Sequence, residues 1–263
     1  MIQFLLFLLV IFVIFFFWSI SWFYRDPVRH PPKQDNIIVS PADGKISRIQ
    51  RYQRGTIPSM VKDGKIFSID EIEKAGLMRD DYYLVSIVMS PLDVHINRAP
   101  ISGQVVFLEK RIGELVTMRQ PIFEFVNERV LTVLENETHR VGVIQIAAPV
   151  ASSIKCFVKF RDTVDMGHKL GSILLGSQVN LIIPLRRSIR LTARLGSKVK
   201  AGETILAEIK AGEEVSDEEI EKIEGKMNVQ SKGLSRVLQA FYLGNLWFTS
   251  LWLRLAHWLR KSG

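Results

Sequence analysis

The 263-residue sequence has a single cysteine, Cys156, so it can form no intrachain disulfide and no zinc site built on paired cysteines. Its 17 glycines and 10 prolines are too few for a collagenous or low-complexity chain. With 24% charged and 47% hydrophobic residues, the composition is that of a folded protein rather than a disordered one. None of the patterns G-x-x-x-x-G-K-[ST], G-x-G-x-x-G, H-E-x-x-H or G-x-S-x-G occurs, which removes the usual support for nucleotide-binding and zinc-protease readings. No aromatic-interleaved basic strand and no nucleic-acid module is present, so the formal charge of +8 points to anionic lipid rather than nucleic acid.

Charge of either sign is also missing from the first 24 residues, MIQFLLFLLVIFVIFFFWSISWFY. About 20 apolar residues cross a bilayer core, so residues 1–24 are expected to form a transmembrane helix. A signal peptide would need a basic start and a small-residue cleavage site, and neither is clear. Trp18, Trp22 and Tyr24 sit where an interfacial aromatic belt would. Arg25, Arg29 and Lys33 follow and place the body on the cytoplasmic side of the cell membrane. At the other end no acid follows Glu224, while Lys226, Lys232, Arg236, Arg254, Arg260 and Lys261 do. Residues 226–263 are expected to form a Trp-rich helix at the membrane interface, with a second span as the alternative. The five tryptophans all lie in these two end segments.

Between them the pattern is mostly short β runs between turn signals. Strands are expected at 36–39, 82–89, 103–108, 130–134, 141–147, 154–160, 178–183 and 190–193. A short helix is expected at 68–74, with Ser68 as cap and Glu71 in a capping box. An acidic helix is expected within 213–225, capped by Ser216. Val164-x-x-Gly167-x-x-Leu170 is echoed by Val199-x-x-Gly202-x-x-Ile205, each reading as a tight turn of a sandwich-like barrel. The expected fold is therefore mainly β (α+β). It has a barrel-sandwich-like core at 25–212, short helices, an N-terminal transmembrane helix and a C-terminal membrane-associated helix.

Three stretches carry polar groups at strand ends: Ser40-Pro-Ala-Asp43-Gly44, Ser90-Pro-Leu-Asp93-Val-His95, and Leu175-Gly176-Ser177. Singly, each is an ordinary turn. Together with Tyr24-Arg-Asp-Pro27 and Asn127-Glu128-Arg129, and in this order, they resemble the phosphatidylserine decarboxylase family. Members of that family cut themselves and carry a pyruvoyl group. The length is similar to the compact branch that includes archaetidylserine decarboxylases.

The resemblance implies decarboxylation of phosphatidylserine to phosphatidylethanolamine and CO2, after self-cleavage between Gly176 and Ser177. Ser177 would attack the Gly176 carbonyl and end as the pyruvoyl group, which condenses with the substrate amine and accepts electrons as CO2 leaves. Asp43 would assist cleavage and His95 decarboxylation. The better-known longer branch has a second histidine three residues after the first, where this chain has Arg98. His95 would then serve both steps, or His139 or His168 would substitute. No metal is implied. The expected partners are a serine phospholipid and an anionic membrane, with the two fragments staying associated and a homo-oligomer left open. Archaetidylserine is the alternative substrate. A non-catalytic, membrane-anchored biotinyl- or lipoyl-like carrier, or a hydrolase using Ser177 directly, are the alternatives of another class.

Overall fold

The computed structural model describes residues 24–209 apart from 35, 115, 119, 148–153, 174–176 and 186–188. Ahead of them it describes positions 3, 9–13 and 21. Eight strands of the body build one curled antiparallel sheet. In spatial order the strands are β11 (Thr163–Val164), β7 (Gly103–Arg111), β8 (Arg129–Glu135), β9 (Arg140–Ile146), β13 (Gln178–Pro184), β5 (Tyr82–Val88), β2 (Gly44–Tyr52) and β15 (Lys198–Val199). Every residue of β5 and β13 is buried, which is why β5 reads as a nearly continuous apolar run and why the polar Gln178 and Asn180 of β13 need buried partners.

The pleat sends alternate residues to two cores. Val179, Leu181 and Ile183 of β13 enter the first core, and Ile182 enters the second. Two three-stranded sheets complete the first: β1 (Ile37–Val39) with β16 (Ile205–Ile209) and β14 (Ile189–Leu191), and β6 (Ile96–Arg98) with β12 (Lys169–Ile173) and β10 (Ile154–Cys156). The second core takes Ile72 from α1 (Glu71–Lys74) and Phe123 from α2 (Phe123–Val126), packed with Leu131, Ile144 and Ile182. A separate hairpin joins β3 (Ser59–Lys62) to β4 (Lys65–Ser68).

The sequence echo is one half of a repeated unit. β1 and β2 are joined by Pro41-Ala-Asp43-Gly44 and pair with β16 and β15; β6 and β7 are joined by Pro100-Ile-Ser102-Gly103 and pair with β12 and β11. The two proline turns bond reciprocally, Val39 N to Pro100 O at 3.0 Å and Arg98 N to Pro41 O at 2.8 Å. The glycine turns dock alike, Gly202 N on Ser40 O and Gly167 N on Ala99 O, both at 2.8 Å. Asp43 Oδ1 accepts from Ala201 N at 2.7 Å, and Ser102 Oγ from Met166 N at 2.9 Å, the same bond in each copy.

The mainly β class is as expected. The helix at 68–74 is shorter than expected: Ser68 is the last residue of β4, paired with Ser59, so it does not cap. Asp70 stands at the N-cap without a side-chain cap bond, and Glu71 turns its carboxylate to Arg129 and Arg111 instead. Among the described residues no helix is long and apolar enough to cross a membrane. The span expected at 1–24 lies mostly outside the described residues, although 9–13 are helical and exposed. The helices expected in 213–225 and 226–263 lie outside them entirely.

Candidate active site

Ser177 is the residue just before β13, between β9 and β5, and is fully buried. By alternation it shares the face of Val179 and Leu181, toward the first core. Its carbonyl accepts from Met89 N at 3.0 Å, and its hydroxyl contacts Met89 Sδ at 3.5 Å. Gly176, the expected partner in cleavage, lies outside the described residues.

Met89 begins the loop that leaves β5. Pro91 starts a tight turn closed by Asp93 N on Ser90 O at 2.9 Å and by Ser90 N on Asp93 Oδ2 at 2.7 Å. That turn aims the Asp93 carbonyl at His95, whose Nδ1 lies 2.8 Å from it. A carbonyl can only accept, so Nδ1 carries the proton and Nε2 the lone pair. His95 is 3% exposed, and burial pulls its pKa down to about 4 despite the Asp93 carboxylate and carbonyl; Arg25 adds to the fall. The imidazole is neutral at pH 7 and offers a base at Nε2. His95 O accepts from Ile173 N at 3.1 Å, which fixes the residue opposite the end of β12, four positions before Ser177.

Met89 and Gln145, which no sequence motif marks, and Asn97, two residues after His95, complete this corner. Met89 Sδ also accepts from Asn97 Nδ2 at 3.7 Å, and Asn97 Oδ1 accepts from Gln145 Nε2 at 2.7 Å. Gly171 lets Gln145 in, because a Cβ there would lie 3.0 Å from Gln145 Nε2 and 2.5 Å from Lys155 O. Behind Ser177, on the opposite sheet face, Gln178 donates to Asn180 at 2.8 Å, Asn180 to Glu124 at 3.3 Å, and Arg48 to Glu124 at 2.6 Å. Apart from Met89–Asn97 and Gln178–Asn180, these contacts join segments far apart in sequence.

Asp43 lies at the same sheet end. Lys45 pairs with Val88, and Val88 with Gln178, so two inter-strand spacings, about 10 Å, separate the β2 and β13 starts. Gly44 allows this approach, since a Cβ on it would lie 2.3 Å from Val88 O. Both Asp43 oxygens are engaged, Oδ2 with Arg29 at 2.6 Å and Oδ1 with Ala201 N. The row continues the other way through Ile146 to Arg129. There Asn127 holds Val116 and Ala147, Glu128 pairs with Lys110 at 2.8 Å, and Arg129 pairs with Glu71 at 2.8 Å.

Arg98 is a clamp. It grips Asp26 at 2.6 Å and Gly167 O at 2.9 Å, and so seats the segment that follows Tyr24. His139 opens β9 at the end away from Ser177, about 20 Å of strand from Ile146. His168 is exposed in the turn before β12. The structure brings Ser177 and His95 to one corner and leaves those two histidines outside it.

The sequence model of the phosphatidylserine decarboxylase family matches residues 16–207. A Methanocaldococcus jannaschii protein provisionally named archaetidylserine decarboxylase proenzyme is 40% identical over 186 residues, 71% of this chain and 87% of that protein. A Methanothermobacter thermautotrophicus protein with the same provisional name is 37% identical over 191 residues, 72% of this chain and 80% of its own. The phosphatidylserine decarboxylase proenzyme of Beijerinckia indica is 33% identical over 188 residues, 72% and 73%. The matched span takes in Ser177, His95 and Asp43 with the strands that carry them, and the chain belongs to the phosphatidylserine decarboxylase family.

Proposed function

We propose that the chain is a proenzyme that cuts itself before Ser177 and then decarboxylates phosphatidylserine to phosphatidylethanolamine and CO2. The observation that carries this is the placement of Ser177. It is a buried serine at the open end of a central strand, its carbonyl fixed by Met89 N, in the same corner as a neutral histidine. A pyruvoyl group fits there, because it keeps the Ser177 carbonyl and its bond to Met89, turns Cα into the ketone carbon and shortens the hydroxymethyl side chain to a methyl group. Once formed, it supplies the carbonyl that condenses with the serine amine and takes up the electrons released with CO2.

The chain's own groups do the rest. His95 Nε2 takes the proton from Ser177 Oγ as that oxygen attacks the preceding carbonyl, and in turnover takes a proton from the substrate ammonium as it condenses and returns it to the carbon that loses CO2. Asp43 is a positioning residue for cleavage. It locks the β1–β2 turn to Arg29 and Ala201 and so holds the edge beside β5. After the cut, residues 177–209 stay bound through β13 between β9 and β5, β15 on β2, and β16 on β1, which keeps the fragments together.

The reading places the enzyme at the cell membrane, anchored by residues 1–24 with its body on the cytoplasmic side. A second substrate, archaetidylserine, is favoured by the names of the relatives at 40% and 37% identity. Both lipids present the same serine head group. Incubating the processed protein with vesicles of either lipid and measuring CO2 and the ethanolamine product tests the reading. Processed protein that turns over neither lipid would overturn it.

A further inference from the structure

Leu92 is the third residue of the Ser90–Asp93 turn, three residues before His95, and its apolar side chain is 73% exposed. Its carbonyl accepts from Arg25 Nη2 at 2.5 Å. Arg25 is the first charged residue after the uncharged run of 24, so the turn is tied to the place where that run ends. Exposed Tyr24 and Val28 lie on the same segment, and within the run the helical residues Leu9, Val10, Ile11, Phe12 and Val13 are 41–56% exposed. The exposed apolar groups and the first cation thus have the order of a lipid interface: apolar run, aromatic ring, arginine.

From this we infer that the Ser90–Asp93 turn is a membrane lip. It seats Leu92 among the lipids of an anionic bilayer beside the point where residues 1–24 leave it. The occupant of this surface is the bilayer rather than a second copy of the chain, because the lip is fastened by Arg25 to the end of a run of 24 residues that carries no charge and whose helical residues 9–13 expose only apolar side chains. The same turn supplies the carbonyl that fixes His95 Nδ1, so lipid contact and the site share one rigid loop. The lip rests on the serine-phospholipid reading only in its consequence. A lip in the interface takes the head group sideways from the bilayer, with no need to lift the tails into water.

The test has two arms, both with the full chain in anionic vesicles. In the first, Cys156→Ser removes the single native thiol. An environment-sensitive fluorophore is then placed at Leu92→Cys or, as a control, at Glu137→Cys in the β8–β9 turn. Lipids spin-labelled on the acyl chain should quench the probe at 92 and leave that at 137 unaffected. An unquenched probe at 92, whether bare or covered by another copy, overturns the lip, and this arm needs no turnover. In the second arm, Leu92→Asp should lower the rate on vesicle-embedded substrate about tenfold, the scale of losing one leucine from lipid, while self-cleavage and the rate on a short-chain monomeric serine phospholipid stay within about twofold. Equal losses on both substrates would make Leu92 part of the site rather than of a lip. Quenching at 92 in a protein that decarboxylates neither substrate would retain the lip and reject the function.

Discussion

Because His95 is held neutral by burial, the folded protein must lose stability in mild acid at that position. The imidazole titrates near 4 in the folded chain and near 6.5 when unfolded. Its folded pKa is depressed, so the neutral form's contribution is complete above pH 6.5 and is lost as pH falls toward 4. Below 6.5 the unfolded chain binds a proton that the folded chain refuses. Between pH 7 and pH 5 the difference is about 2 kcal/mol, and over the whole window about 3 kcal/mol. For a protein of this size 2 kcal/mol corresponds to roughly 4–8 °C in melting temperature. The comparison belongs in uncut protein, so that maturation does not enter: Ser177→Ala against Ser177→Ala/His95→Gln, each melted at pH 7 and pH 5. The single variant should lose about 2 kcal/mol more than the double, since all other titrations are shared. Equal losses would show that His95 titrates in the fold as it does in the unfolded chain, and the claim that burial holds the imidazole neutral would fall with that result.

Asp43→Asn removes the ion pair to Arg29 at 2.6 Å while leaving an oxygen for Ala201 N. It should cost about 2 kcal/mol and slow self-cleavage on a gel time course. Arg29→Ala should act alike, with a double variant well short of additive. Wild-type cleavage and melting in Asp43→Asn would remove the positioning role. Gly171→Ala drives a methyl to 2.5 Å from Lys155 O, backbone that cannot step aside, and against Gln145. It should cost about 1–3 kcal/mol, read as a lower melting temperature, and an unchanged melt would show the Gln145 corner to be looser than its contacts.

The strands around the site were legible because β5, β8, β9 and β13 are rich in valine, isoleucine and leucine and lie between turn signals. β2 was not, because in GKISRIQRY only Gly44 and Ile46 are buried, and its half-buried arginines and exposed Gln50 look like a loop. The duplication showed in the sequence only as two glycine turns. Its other half is hidden because the turn-capping oxygen comes from Asp43 in one copy and Ser102 in the other. The same fact changes what Asp43 can be read as: one oxygen does a job that a serine does in the second copy, and the other holds Arg29. Ser177 and His95 were found through motif order, whereas Met89, Asn97 and Gln145 depend on registers between strands dozens of residues apart. Arg98 looked like a substitution for a missing histidine, and its contacts explain it as the clamp on Asp26 and Gly167.

Intact mass spectrometry of the purified, denatured protein reads self-cleavage before Ser177 directly. Two polypeptides are expected, residues 1–176 and 177–263, the second lighter by one ammonia than its plain hydrolysis product because its serine has become a pyruvoyl group. A single uncut chain from a preparation that decarboxylates, or a second polypeptide beginning with an ordinary serine, would contradict it.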